Sequence, residues 1–183
     1  MLHRLLCTAT LAGLLGAAPL ALALPPDLDP TLNPHLGLRE DAVGAHAKDD
    51  AATADLIEVM KTDPAPDVRA RAAKALFDRW ATGVGDPNTH KAAAIWAASQ
   101  GDPGTRASAV RALGDTGDDY TLVVGYLDDD DKQVSAAAYA ACERWAERHP
   151  DRAGEINAVL SGRELSTEGK ARRLIEKIRD KIP

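Results

Sequence analysis

Thr62-Asp-Pro-Ala-Pro-Asp-Val-Arg-Ala-Arg-Ala-Ala-Lys-Ala-Leu-Phe-Asp-Arg-Trp80 decides the fold. It opens on a turn built from Asp63, Pro64 and Pro66. Proline has no amide hydrogen to donate, so it belongs in a turn or in the first turn of a helix. Asp67 stands where a capping carboxylate would accept the helix's orphan N–H groups. Val68, Ala72, Leu76 and Trp80 then recur at helical spacing, with Ala73 and Phe77 beside them. That pattern puts all six on one face, while Arg69, Arg71, Lys74 and Asp78 fall mostly elsewhere. The stretch therefore predicts one helix of a packed pair, with an apolar stripe that needs a neighbour.

The same phrase returns twice. Gly101-Asp-Pro-Gly-Thr-Arg-Ala-Ser-Ala-Val-Arg-Ala-Leu-Gly114 sets Arg106 against Arg69 and Ala112-Leu113 against Ala75-Leu76. Leu127-Asp-Asp-Asp-Asp-Lys-Gln-Val-Ser-Ala-Ala-Ala-Tyr-Ala-Ala-Cys-Glu-Arg-Trp145 answers Asp78-Arg79-Trp80 with Glu143-Arg144-Trp145. Aligning Val134 with Val68 leaves Trp145 one residue out of step. The phrase resembles the HEAT-like repeat, in the short form of phycobilisome-lyase-type HEAT proteins. That family reads Asp-Pro, an acidic or small residue, Val-Arg, then an alanine-rich run to Ala-Leu. Val68-Arg69, Ala72-Ala73 and Ala75-Leu76 carry the match. The second copy has Thr105-Arg106 and the third Val134-Ser135. The resemblance extends from Asp49 to the C-terminus once the helices between the phrases are included. It implies an all-α, right-handed α-solenoid of about four antiparallel helix pairs. It also implies that Arg69 and Arg106 are structural, reaching an aspartate or a carbonyl in the adjacent repeat.

Composition bounds the rest. The chain has 183 residues, 45% hydrophobic and 27% charged, which suits one soluble domain with a core. Only 4% is aromatic, so alanine, leucine, valine and isoleucine must fill that core. A net charge of −6 argues against a general nucleic-acid surface. Residues 1–23 read as an export signal: Arg4, an apolar run from Leu5 to Ala18, and small residues at Ala21-Leu22-Ala23 for cleavage. The run is short for a full span, though a retained anchor is the alternative. Residues 24–48 carry Pro25-Pro26, Asp29-Pro30 and Asn33-Pro34 and read as an extended linker, with His35 and His46 as loop residues.

Residues 49–183 form the helical repeat domain. Ala52, Leu56, Val59 and Met60 mark its first helix. Asp86-Pro87 starts one with the stripe Ala92, Ile95, Trp96 and Ser99. Asp102-Pro103 starts the next, with Ala109, Val110 and Leu113 inward and Gly114 and Gly117 as stops. Tyr120, Val123, Val124 and Leu127 make a short helix. Asp128 to Asp131 lack the glycine and distant glutamate of a calcium loop, and read as a solvated turn that charge-matches a helix N-terminus. Cys142 lies on the stripe Val134, Ala138, Ala141, Cys142 and Trp145, as a buried thiol; with Cys7 inside the signal it has no disulfide partner in the mature chain. Ile156, Val159 and Leu160 precede a break at Gly162. Ser166 caps a last helix with Ala171, Leu174, Ile175, Ile178 and Ile182 on one side and Lys170, Arg172, Arg173, Lys177, Arg179 and Lys181, with Glu168, Glu176 and Asp180, on the other. It reads as the terminal cap of the stack, against the alternative of a membrane-surface helix.

No zinc-protease, phosphate-loop, nucleophile-elbow or paired-cysteine pattern occurs, and His90 and His149 stand alone. No residue is assigned to catalysis, a cofactor or a metal. The singled-out positions are structural: Asp67, Val68, Arg69, Leu76, Trp80, Arg106, Leu113, Val134 and Trp145. The expected function is a monomeric, non-enzymatic scaffold exported by a bacterium that binds another protein through its solenoid surface. A membrane-surface protein and a bilin-lyase-like accessory factor are the alternatives, the latter without a matching chromophore-handling residue.

Overall fold

The computed structural model describes residues 23–117 and 119–163, with Glu176 alone beyond them. The expected export signal, apart from Ala23, and the expected basic C-terminal helix, apart from Glu176, lie outside the described residues, as does Asp118. The chain forms α1 (Leu36–His46), α2 (Thr53–Thr62), α3 (Pro66–Ala81), α4 (Pro87–Gln100), α5 (Pro103–Thr116), α6 (Thr121–Val124), α7 (Lys132–Arg148) and α8 (Ala153–Arg163). No strand occurs among the described residues. Helices α1, α3, α5 and α7 stack side by side in one row. α2 packs on α3, α4 on α5, and α6 and α8 on α7. The architecture is an all-α solenoid.

Local chemistry starts each helix. Proline holds the first turn of α3, α4 and α5. Asp86 and Asp102 are N-caps that accept Thr89 and Thr105 N–H, and Asp131 accepts Gln133 and Val134 N–H. α3 departs from expectation. Its N-cap is Ala65, and Asp67 makes no capping bond. Pro66 takes the first helical position, so Asp67 falls inside the first turn and acts only on the helix dipole. The turn is closed by Asp63 instead, whose carboxylate accepts Ala65 N–H at 2.8 Å.

The core is made from small residues, so the helices come close. Val68, Ala72, Ala73, Leu76 and Phe77 of α3 are buried, as are Ala109, Val110 and Leu113 of α5 and Val134, Ala138, Ala141 and Cys142 of α7. Gly114 does not stop α5; it is buried inside it, and Gly117 follows the helix end. A Cβ on Gly114 would lie 2.7 Å from Ala141 Cα and nearer still to its Cβ, so glycine lets α5 and α7 touch. Gly162 likewise lies within α8 rather than ending it. The stripe of α4 is also corrected. Ala93, Ala94, Ala97 and Ala98 are buried together with His90, while Ile95 and Ser99 are exposed. Close packing on α5 selects the side with the least bulk, not the side with the largest apolar groups.

Residues 24–48 are not an extended linker. They hold α1, and Leu28, Ala42 and Val43 belong to the core. The prolines fold this segment rather than stretch it: Leu28 N–H reaches Pro25 O at 2.9 Å and Asn33 N–H reaches Asp29 O at 2.8 Å.

Trp145 is fully buried, whereas Trp80 is half-buried. Counted from the N-cap, Trp145 takes the place that buried Arg79 holds in α3. One residue of offset rotates a helical position by about 100°, which carries the indole from the rim to the interior.

Candidate functional site

Polar side chains tie the repeats together in a regular way. Four residues after its N-cap, each of α1, α3 and α5 carries an arginine: Arg39, Arg69 and Arg106. Each reaches forward to an aspartate in the turn that opens the next odd-numbered helix. Arg39 grips Asp63 with Nε at 2.9 Å and Nη2 at 3.2 Å. Arg69 Nε donates to Asp102 at 2.9 Å, and Arg106 pairs with Asp129. The same arginines also close their own turns, Arg39 on Asn33 O at 3.0 Å and Arg69 on Asp63 O at 2.7 Å. Each aspartate also accepts a backbone N–H: Ala65, Thr105 and Asp131 respectively. The two ends differ. Asn33 replaces an aspartate ahead of α1 and donates to Asp27 O at 2.8 Å. Ser135 replaces the arginine of α7 and donates to Leu127 O at 2.8 Å.

These rungs hold the fold. The Arg39–Asp63 side chains are 5% and 1% exposed, so both charges have left water. Breaking such a pair from one side costs about 3–5 kcal/mol, because the remaining charge stays buried. Burial pushes the Asp102 carboxyl up. Hydrogen bonds from Thr105 and Arg69 and the Arg69 charge outweigh it and hold the group below the usual carboxylate range. The acidic run at 128–131 is thus not merely solvated: Asp131 caps α7, and Asp129 is largely buried against Arg106.

Arg69 and Arg106 stand out in the sequence, and Asp63 only as a turn residue; Arg39 and its pairing with Asp63 do not. The signal was present, since Asn33-Pro34 stands to Arg39 as Asp63-Pro64 stands to Arg69. Val68, Leu76, Leu113, Val134 and Trp145 lie in the core, and Asp67 is exposed. Trp80 stacks on His90 at 6.4 Å. His90 is itself buried, with Nδ1 2.8 Å from Asp86 O, and His149 lies against Trp145 at 4.5 Å. No group of side chains able to hold a metal ion occurs among the described residues, and no helix among them is long and apolar enough to cross a membrane.

The outward side of the odd-numbered row repeats as regularly as the core. Nine residues after the N-cap stand Gly44, Lys74, Arg111 and Ala140. Thirteen after it stand Asp78, Asp115 and Arg144. Lys74 pairs with Asp78 within α3, and Arg144 of α7 pairs with Asp115 of α5. Between α3 and α5 lies a cleft of about 120 Å³, with Phe77 and Ala112 among its lining residues.

A stacked row of helices, bridged repeat to repeat by arginine and aspartate, defines a helical-repeat protein. Residues 53–143 match the sequence family described as HEAT repeats, so this segment is built of HEAT-like repeats. The rungs begin ahead of the matched segment, at Arg39 in α1. No curated protein matches the chain.

Proposed function

We propose that this protein is an exported, non-enzymatic scaffold that binds another protein along the outward side of its odd-numbered helices. The observation that carries the reading is the register of that side. Equivalent positions on α3, α5 and α7 bring Lys74, Arg111 and Ala140, then Asp78, Asp115 and Arg144, into parallel rows. A repeating surface of this kind fits an extended partner better than a compact ligand. Binding rather than chemistry is favoured by how the buried polar groups are used. Arg39, Asp63, Arg79 and Thr105 are engaged in bonds between or within turns, and buried His90 spends Nδ1 on Asp86 O, with Nε2 left without a hydrogen bond among the described residues. Export rests on residues 1–23 and their small-residue cleavage pattern, and the signal's style suggests a bacterial source.

The test uses two measurements. N-terminal sequencing of protein recovered from the periplasm or medium of an expressing bacterium is expected to begin near Leu24; an intact Met1 in the membrane fraction contradicts export. Pull-down from the envelope fraction then compares the natural chain with an Arg71→Glu, Lys74→Glu, Arg111→Glu triple variant, all exposed positions. A partner recovered by the first and lost by the second supports the scaffold. Identical recoveries from both remove the outward side as the binding surface.

A further inference from the structure

Among the described residues, Arg111 is a cation of the outward side that no carboxylate holds. Its neighbours are spoken for: Lys74 is held by Asp78, Asp115 by Arg144, and Arg71 lies 3.9 Å from Glu40. Arg111 and Asp115 stand at helix-pairing distance in sequence, but Asp115 turns to α7. The Arg111 guanidinium has no carboxylate partner among the described residues, is exposed, and lines the cleft between α3 and α5. The cleft exists because Ala81, Ser108 and Ala112 are small, and Phe77 supplies an aromatic wall.

We infer that this cleft receives an acidic side chain of the partner protein, an aspartate or glutamate flanked by an apolar residue. The carboxylate meets Arg111, whose planar fork suits it; Asp78 and Asp115 also line the cleft, but each is already paired, with Lys74 and Arg144 respectively. The apolar neighbour lies against Phe77 and Ala81. This deepens the scaffold reading and rests on it: the surface is the same, and the added content is the partner's chemistry at one point.

The probe is an array of short synthetic peptides in which aspartate, glutamate, asparagine, glutamine, lysine and leucine are placed systematically. It is incubated with the labelled chain from Leu24 to Pro183. Peptides with aspartate or glutamate beside leucine are expected to bind, and their asparagine or glutamine counterparts at least about tenfold more weakly. Arg111→Gln should erase that difference. Ala81→Leu, which fills the cleft without touching a charge, should weaken acidic peptides by a similar factor. Circular dichroism checks that both variants remain helical; the comparison of acidic with amide peptides on the natural chain holds whether or not they fold. Equal binding of acidic and amide peptides overturns the cleft while leaving the scaffold standing. A preference that survives Arg111→Gln does the same. No peptide binding at all, acidic or neutral, counts against both.

Discussion

At the scale of single residues, the place of an arginine along its helix shapes what it does. Four residues past the N-cap, Arg39, Arg69 and Arg106 bind the next repeat; Arg71 and Arg111, farther along the outward stripe, are exposed. Binding the next repeat makes stability depend on acid. Asp102 is held below the ordinary carboxylate value of about 3.9. The unfolded chain therefore takes up this proton at a higher pH than the folded one does. The stabilisation is complete above about pH 4 and is lost as pH falls through the lowered folded value. Asp102→Asn isolates the charge, since asparagine still caps the helix. It is expected to cost about 1–3 kcal/mol at pH 7, measured by urea unfolding, with the deficit shrinking toward pH 3. A deficit of the same size at both pH values would show that the Arg69 charge is not what Asp102 contributes.

At the scale of helices, contact distance decides more than hydrophobicity does. Replacing an interior helical glycine by alanine ordinarily stabilises by about 1 kcal/mol. Here Gly114→Ala should do the opposite and destabilise by roughly 1–3 kcal/mol, because the added methyl meets the backbone of α7 at Ala141. Ala141→Gly in the same chain should restore part of the loss. A rise in the denaturation midpoint of the single variant would mean that α5 and α7 stand farther apart. This close approach is also why the sequence could mislead. A glycine near a helix end signals a stop, and the same letter serves where two backbones meet. In α4 the reading followed Ile95 and Trp96, the bulkiest apolar letters, whereas the interface took the alanines. The stripes of α2, α3 and α5 were legible because there the large and the inward residues coincide, as at Leu56, Leu76 and Leu113.

At the scale of the whole molecule, the array is longer than its clearest repeats. α1 was hidden because its outward and end-facing positions carry Leu36 and Leu38, 42% and 57% exposed, which blurs the periodicity, while Arg39 sits buried between them and Ala42. The outward cleft was not legible at all, since it depends on the spacing of two helices. Removal of residues 24–48 tests the difference between a linker and a repeat. The truncated chain loses Leu28 and Val43 from the core and leaves Asp63 without Arg39, so thermal melting should fall steeply. An unchanged melting temperature would return the segment to the status of a tether. The placement of donor and acceptor within each repeat also governs how such a gene can lengthen. A tandem copy of the α4–α5 unit would bring Asp102 and Arg106 together, so Arg69 would find the first copy, Arg106 the second, and the second Arg106 would still find Asp129. A tandem copy of α6–α7 would set Ser135 opposite a duplicated Asp129 and strand a carboxylate. Recombination can insert repeats into the middle of this protein without penalty to its rungs, and meets one as soon as it copies the last.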